Sequence, residues 1–185
     1  MFASWTPPSS KRKLILASAT TGLLPQYEFC SFLIEALGGQ SWEVVLSISG
    51  QLDVISAIDA RRLVDLPSNV RLNRHAGNFD IMHSSCLYIG QGGQGASLEA
   101  LFCGIPQILI PPTPFHYSVA RRVSELGVGL CLLMAELTAD RLRQRIGALL
   151  EDEQILQRVK DVSHTMREVS GAEYAANEVE EYLSR

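Results

Sequence analysis

Six short runs along this chain carry apolar residues at both odd and even positions, and this pattern narrows the fold more than any other feature. They are Leu14-Ile15-Leu16-Ala17-Ser18, Trp42-Glu43-Val44-Val45-Leu46-Ser47-Ile48, Val70-Arg71-Leu72, Cys86-Leu87-Tyr88-Ile89, Gln107-Ile108-Leu109-Ile110 and Val128-Gly129-Leu130-Cys131-Leu132. Strand side chains alternate between two faces, so runs of this kind are apolar on both and need cover on both. Stretches of helical spacing lie between them: Tyr27 to Leu37, Val54 to Val64, Asn78 to His83, Gln94 to Cys103, His116 to Leu126, and a segment capped by Thr138 that continues through Leu150. Beyond Glu151-Asp152, polar amphipathic segments run to Leu183. Short two-faced strands alternating with helices predict a doubly wound α/β domain: a parallel sheet of about six strands, closed by C-terminal helices.

The 185 residues, 46% of them hydrophobic, suffice for one domain with a full core. Residues 1–11 read as an arm or linker and residues 12–185 as the domain. A net charge of −4 without a basic stripe argues against a nucleic-acid partner. Cys30, Cys86, Cys103 and Cys131 sit in apolar runs without CxxC or Cys/His spacing, so reduced core thiols and no metal are expected. No apolar run approaches the ~20 residues that cross a bilayer. The first residues lack a charged segment ahead of an apolar one, which leads to the expectation of a cytoplasmic protein without a membrane span.

The chemistry concentrates after the fourth run. Gly90-Gln91-Gly92-Gly93-Gln94-Gly95-Ala96-Ser97-Leu98-Glu99-Ala100-Leu101 reads as the end of a strand, a bare turn and the start of a helix that stops at Gly104. Such a turn lets backbone approach a phosphate, and the new helix aims free N–H groups and its positive end at the anion. In a doubly wound sheet this edge, at the carboxyl ends of the strands, is where ligands bind. By themselves the residues also admit a tight turn without a ligand.

From Val70 onward the chain resembles the C-terminal, donor-binding domain of GT-B glycosyltransferases. Within these it is most similar to the macrolide and antibiotic enzymes related to the UDP-glucuronosyl/glucosyltransferases. Pro67-Ser68-Asn69-Val70-Arg71 looks like the family's "LPPNVR", and the glycine stretch looks like its "THGGxGTxxEAL". Gly104-Ile105-Pro106, Ile110-Pro111 and Ala120-Arg121-Arg122-Val123-Ser124-Glu125-Leu126-Gly127-Val128-Gly129 look like its continuation.

The resemblance implies roles. Gly93, Gly95, Ala96 and Ser97 would hold the donor diphosphate, with Gln91 in place of the family's histidine. Thr20, within Ala17-Ser18-Ala19-Thr20, stands where "SxGT" is expected. Glu99 would hold the ribose hydroxyls, although a carboxylate there also suits a first helical turn. His75 and Asn78 fall on the aromatic and glutamine positions of the "WxPQ" element that carries the base, and His75 is equally readable as a strand-end histidine. Phe115 and His116 replace an Asp/Glu-Gln pair that grips sugar hydroxyls, which suits a deoxygenated sugar. The implied substrate is a UDP- or TDP-sugar, with no cofactor. The catalytic base is expected in an N-terminal acceptor domain, in this or another chain, and neither His83 nor His164 is nominated. A degenerate, non-catalytic partner module and a sugar-nucleotide epimerase half are the other readings.

Overall fold

The computed structural model describes residues 5–7, 11–19, 26–48, 66–73, 77–169 and 171–185. Thr20, His75 and the helix expected over 54–64 lie outside the described residues. Six strands form one sheet: β1 (Leu14–Ser18), β2 (Glu43–Ser47), β3 (Val70–Asn73), β4 (Leu87–Gly90), β5 (Gln107–Leu109) and β6 (Gly129–Cys131). Their order is β3-β2-β1-β4-β5-β6, and every pair is parallel. The described helices are α1 (Gln26–Leu37), α2 (Asn78–Met82), α3 (Gln94–Cys103), α4 (Pro114–Glu125), α5 (Ala139–Glu151), α6 (Glu153–Glu168) and α7 (Gly171–Leu183), with a 3-10 turn at Met134–Glu136. The expected doubly wound α/β sheet is therefore the one observed.

Each strand splits its side chains between two cores. Ile15, Ala17, Leu46, Leu87, Ile89 and Ile108 face α1 and α5, meeting Phe29, Leu33, Leu37, Leu142, Ile146 and Leu149. Leu14, Leu16, Val45, Tyr88 and Leu109 face the other way, against Ile81 and Met82 of α2, Ala100 and Leu101 of α3, Ala120 and Val123 of α4, and Val159 of α6. Trp5, in the segment expected to be an arm, packs against this second core. The outer strands β3 and β6 are less buried than the inner four. At that edge β6 pairs over three residues, where the apolar run extends over five.

Two local devices set the frame. Asn69 is buried; its Nδ2 donates to the carbonyls of Leu37 and Trp42 at 2.9 and 3.0 Å, and its Oδ1 accepts from the Gly39 N–H at 2.8 Å. One side chain thus ties the end of α1, the entry to β2 and the entry to β3. Helix α4 starts at Pro114, two residues ahead of the expected His116, because Thr113 caps it and proline suits a first helical position.

The winding reverses between β1 and β4. The chain steps outward from β1 to β3, crosses back to β4, then steps outward to β6. The two central strands end side by side, with Ser18 opposite Gly90. The crevice at this reversal is where a sheet of this type receives a ligand, and the glycine stretch begins there.

Candidate functional site

The loop leaves β4 at Gly90 and enters α3 at Gln94. Gly92 adopts φ +85°, a left-handed conformation that favours glycine, and a Cβ there would lie 2.7 Å from the His116 carbonyl oxygen. Glycine at this position lets the first turn of α4 pack directly against the loop. Gly93 occupies the cap position of α3 and supplies no side-chain acceptor. The Ser97 N–H donates to the Gly93 carbonyl at 3.1 Å and closes the first turn. The N–H groups of Gln94, Gly95 and Ala96 therefore precede any intrahelical acceptor. A Cβ on Gly95 would meet nothing within 4 Å, so this end of the helix faces open space.

Ser97 departs from its expected role. It is 3% exposed, its hydroxyl is buried without a hydrogen-bond partner, and its carbonyl accepts from Nε2 of Gln107 on β5 at 3.0 Å. Its position on the helix turns the side chain toward the sheet, and its N–H is already committed to Gly93. Gln91 is buried as well, at 4% exposure. An uncharged amide suits that position, because burying an imidazolium there would require a compensating charge. Gly93, Gly95 and Ala96 line the uncapped start of α3.

A second wall rises beside the loop. Nδ2 of Asn78, the first residue of α2, donates to the Ser18 hydroxyl at 3.0 Å, joining the start of α2 to the end of β1. Gly77 holds the cap position of α2, which also lacks a side-chain cap. Glu99 is half-buried on α3, and no salt bridge reaches it among the described residues. Burial raises its carboxyl above the ordinary value. Because α3 starts at Gln94, Glu99 lies beyond the first turn, which removes the reading of Glu99 as a first-turn complement to the helix dipole. Its charge is felt by Tyr88 of β4. Burial pushes that phenol above its ordinary value, the Ser18 hydroxyl lowers it, and Glu99 raises it again.

On the other flank, Phe115 is 64% exposed at the start of α4. Its ring meets the His116 ring edge-on, with centroids 5.6 Å apart. Thr113 Oγ1 accepts the His116 N–H at 3.4 Å and lies 2.7 Å from Nδ1. The Thr113 hydroxyl and the His116 imidazole are thus hydrogen-bonded through Nδ1, and the imidazole tautomer sets which of the two donates. Between α3 and α4 lies a mainly apolar groove of about 350 Å³, lined in part by Gln94, Leu98, Leu101, Phe115 and Val119.

The histidines passed over in the sequence are engaged elsewhere. His83 Nδ1 lies 2.9 Å from the Phe79 carbonyl, and exposed His164 pairs with Glu168 at 3.3 Å. Three residues at the site carried weak signals. Thr113 is legible as a cap from the Thr-Pro ahead of a helical pattern. Ser18 ends the first apolar run. Tyr88 is a phenol placed in an otherwise apolar strand two residues before Gly90.

A parallel sheet in the order 3-2-1-4-5-6, with an uncapped helix opening behind a glycine loop at the reversal point, defines a doubly wound, Rossmann-like domain. Residues 39–184 match the model of the family described as erythromycin biosynthesis protein CIII-like, C-terminal domain, and the chain belongs to that family. It is 31% identical over 174 residues to the NDP-glycosyltransferase YjiC of Bacillus subtilis (strain 168), a match covering 94% of this chain and 43% of that protein. To demethyllactenocin mycarosyltransferase of Streptomyces fradiae it is 28% identical, over 98% of this chain and 38% of that protein. Among solved structures it is similar to CalG4, the calicheamicin glycosyltransferase, with a TM-score of 0.85 and 28% identity over 98% of this chain and 46% of that one. The chain thus spans less than half the length of these relatives.

Proposed function

We propose that residues 12–185 form the donor half of a glycosyltransferase, binding a nucleoside diphosphate sugar whose sugar passes to an acceptor held by an N-terminal domain in the same or another chain. The observation that carries this is the open start of α3, where Gln94, Gly95 and Ala96 present N–H groups without a cap and Glu99 waits one turn further on without a basic partner among the described residues. In this reading the N–H groups hold the diphosphate and stabilise the charge that grows on it as the sugar departs. The Glu99 carboxylate accepts from the ribose hydroxyls, and Asn78 faces the base. Thr20 and His75 are assigned to the phosphate and base regions on the resemblance alone.

On the sugar side, exposed Phe115 offers a ring and no acceptor, while His116 offers its imidazole Nε2. That pairing favours a UDP- or TDP-linked sugar that has lost hydroxyls over a fully hydroxylated one. The four cysteines are free, and no described helix is long and apolar enough to cross a membrane. The free thiols support a cytoplasmic location, since they persist in reducing compartments.

Calorimetric titration with UDP, TDP and their sugars tests the proposal. Binding that weakens in Glu99→Ala supports it, and no binding of any nucleotide, alone or with an N-terminal half supplied, refutes it. A second reading, binding without transfer, is favoured by the buried neutral Gln91 and by Phe115. Nucleotide binding with no glycoside formed on any acceptor would select it.

A further inference from the structure

Tyr88 is a polar residue that neither the diphosphate loop nor the sugar flank uses. It is 2% exposed and projects from β4 into the second core. Its ring bends under the end of its own strand. A Cβ on Gly90 would collide with the phenol oxygen and would stand 2.5 Å from the ring carbon that bears it. Gly90 is not in a left-handed conformation, so glycine is required here for space. Gly90 is also the register partner of Ser18. The phenol therefore lies at the end of β1, on the side of Gly90 that Ser18 faces, and close enough for the Ser18 hydroxyl to bear on its ionisation. That hydroxyl in turn takes the amide of Asn78 at 3.0 Å. Three chain segments, one ending at Ser18, one starting at Asn78 and one leading into the loop at Gly90, meet around Ser18 beside this buried phenol.

We infer that Tyr88 is a positioning residue for the nucleoside: its phenol, seated in the space that Gly90 leaves, holds Ser18 and through it Asn78 at the rim of the loop. The inference rests on the donor-site reading above and deepens it. Tyr88 is sealed from solvent and does not touch the ligand, so its effect falls on the nucleoside wall and not on the diphosphate cradle.

The test uses the full chain as wild type, Tyr88→Phe, Asn78→Ala and the double variant. Each is titrated with UDP, TDP and inorganic pyrophosphate, and amide hydrogen exchange is followed in the segment 78–85 and in α5. Loss of the polar contact between the phenol and Ser18 predicts nucleoside diphosphate binding about fivefold weaker in Tyr88→Phe, with pyrophosphate binding unchanged. Asn78→Ala should add little in the Tyr88→Phe background, since both cut the same chain of bonds. Exchange should quicken in 78–85 and stay as it was in α5. A hydroxyl returned from the neighbouring position, in Tyr88→Leu with Gly90→Thr, should recover part of the nucleotide affinity lost in Tyr88→Leu, because threonine suits a strand.

Equal weakening of nucleotide and pyrophosphate, additive losses with Asn78→Ala, or unaltered exchange in 78–85 would each overturn the inference. If wild type binds neither nucleotide nor pyrophosphate, the donor-site reading fails, and the exchange comparison alone decides the positioning role.

Discussion

Helices α6 and α3 pack on the same face of the sheet yet begin in opposite ways. At α6, the Asp152 carboxylate accepts the N–H groups of Gln154 and Ile155, each at 3.0 Å. Helix α5 is closed similarly, with Thr138 Oγ1 accepting the Arg141 N–H at 3.2 Å. At α3 the cap is Gly93, which has nothing to offer. A good cap stabilises a helix by about 1 kcal/mol, so the bare start of α3 leaves available stability unused. The difference separates ends built to hold the fold from an end kept open for something else. At α6 the positive pole of the helix is neutralised from within the chain. At α3 it is left facing the crevice between β1 and β4.

Four changes would break or sharpen this contrast. The largest effect is expected from Gly95→Asp. A side chain there meets empty space, and a carboxylate in the first turn is favourable to the helix, so the melting temperature should hold or rise. The same carboxylate occupies the place of the ligand's anion, and nucleoside diphosphate affinity should fall on the order of 100-fold in calorimetry. A fall in stability alongside the loss of binding would mean that the start of α3 is structural after all.

Next is Glu99→Ala, which removes the acceptor proposed for two ribose hydroxyls. Binding of UDP or TDP should weaken about tenfold, while inorganic pyrophosphate binds as before. An equal loss for both probes would place Glu99 outside the nucleoside wall.

A smaller effect concerns pH. Burial raises the Glu99 carboxyl in the folded protein above its unfolded value. The free fold therefore gains stability as pH falls through the folded value and loses it as pH rises. Ligand hydroxyls require the ionised form, so affinity runs the other way. Lowering the pH from about 7 to about 5 should weaken nucleotide binding a few-fold more in wild type than in Glu99→Gln. Parallel titration curves for the two proteins would remove the carboxylate from the binding account.

The smallest effect on binding should come from Asp152→Ala, at the closed end. Thermal or urea unfolding should show a loss of about 1 kcal/mol, with nucleotide affinity unaltered. Any drop in affinity would show that α6 and α3 are coupled more closely than their different starts suggest.

Much of this architecture is legible in the chain because it depends on near neighbours. A run such as Leu14-Ile15-Leu16-Ala17-Ser18 has no polar face, which demands cover on both sides. The bounds expected for the helix from Gln94 to Cys103 are those observed, because Gly93 and Gly104 punctuate it. Thr138 and Asp152 cap as their residue types suggest. Expectations failed where a side chain's surroundings come from elsewhere. Ser97 looks like a phosphate-binding hydroxyl in a one-dimensional motif, but its hydroxyl is buried, and its backbone carbonyl accepts from Gln107 of β5. Glu99 stands five residues beyond Gln94, so the first-turn reading conflicts with the helix start that the sequence itself marks.

What the sequence by itself determined are properties of periodicity and punctuation: two-faced strands, helix starts and stops, and a loop bare enough for a phosphate. These follow from side-chain spacing of two and 3.6 residues and from the conformational freedom of glycine. Only the tertiary structure decided which ends meet. Ser18, Asn78 and Gly90 come together because β1 and β4 pair at the centre of the sheet and α2 docks above them. Strand order is a property of the whole packed core, so no local pattern could announce that a phenol at Tyr88 would fill the space beside Gly90.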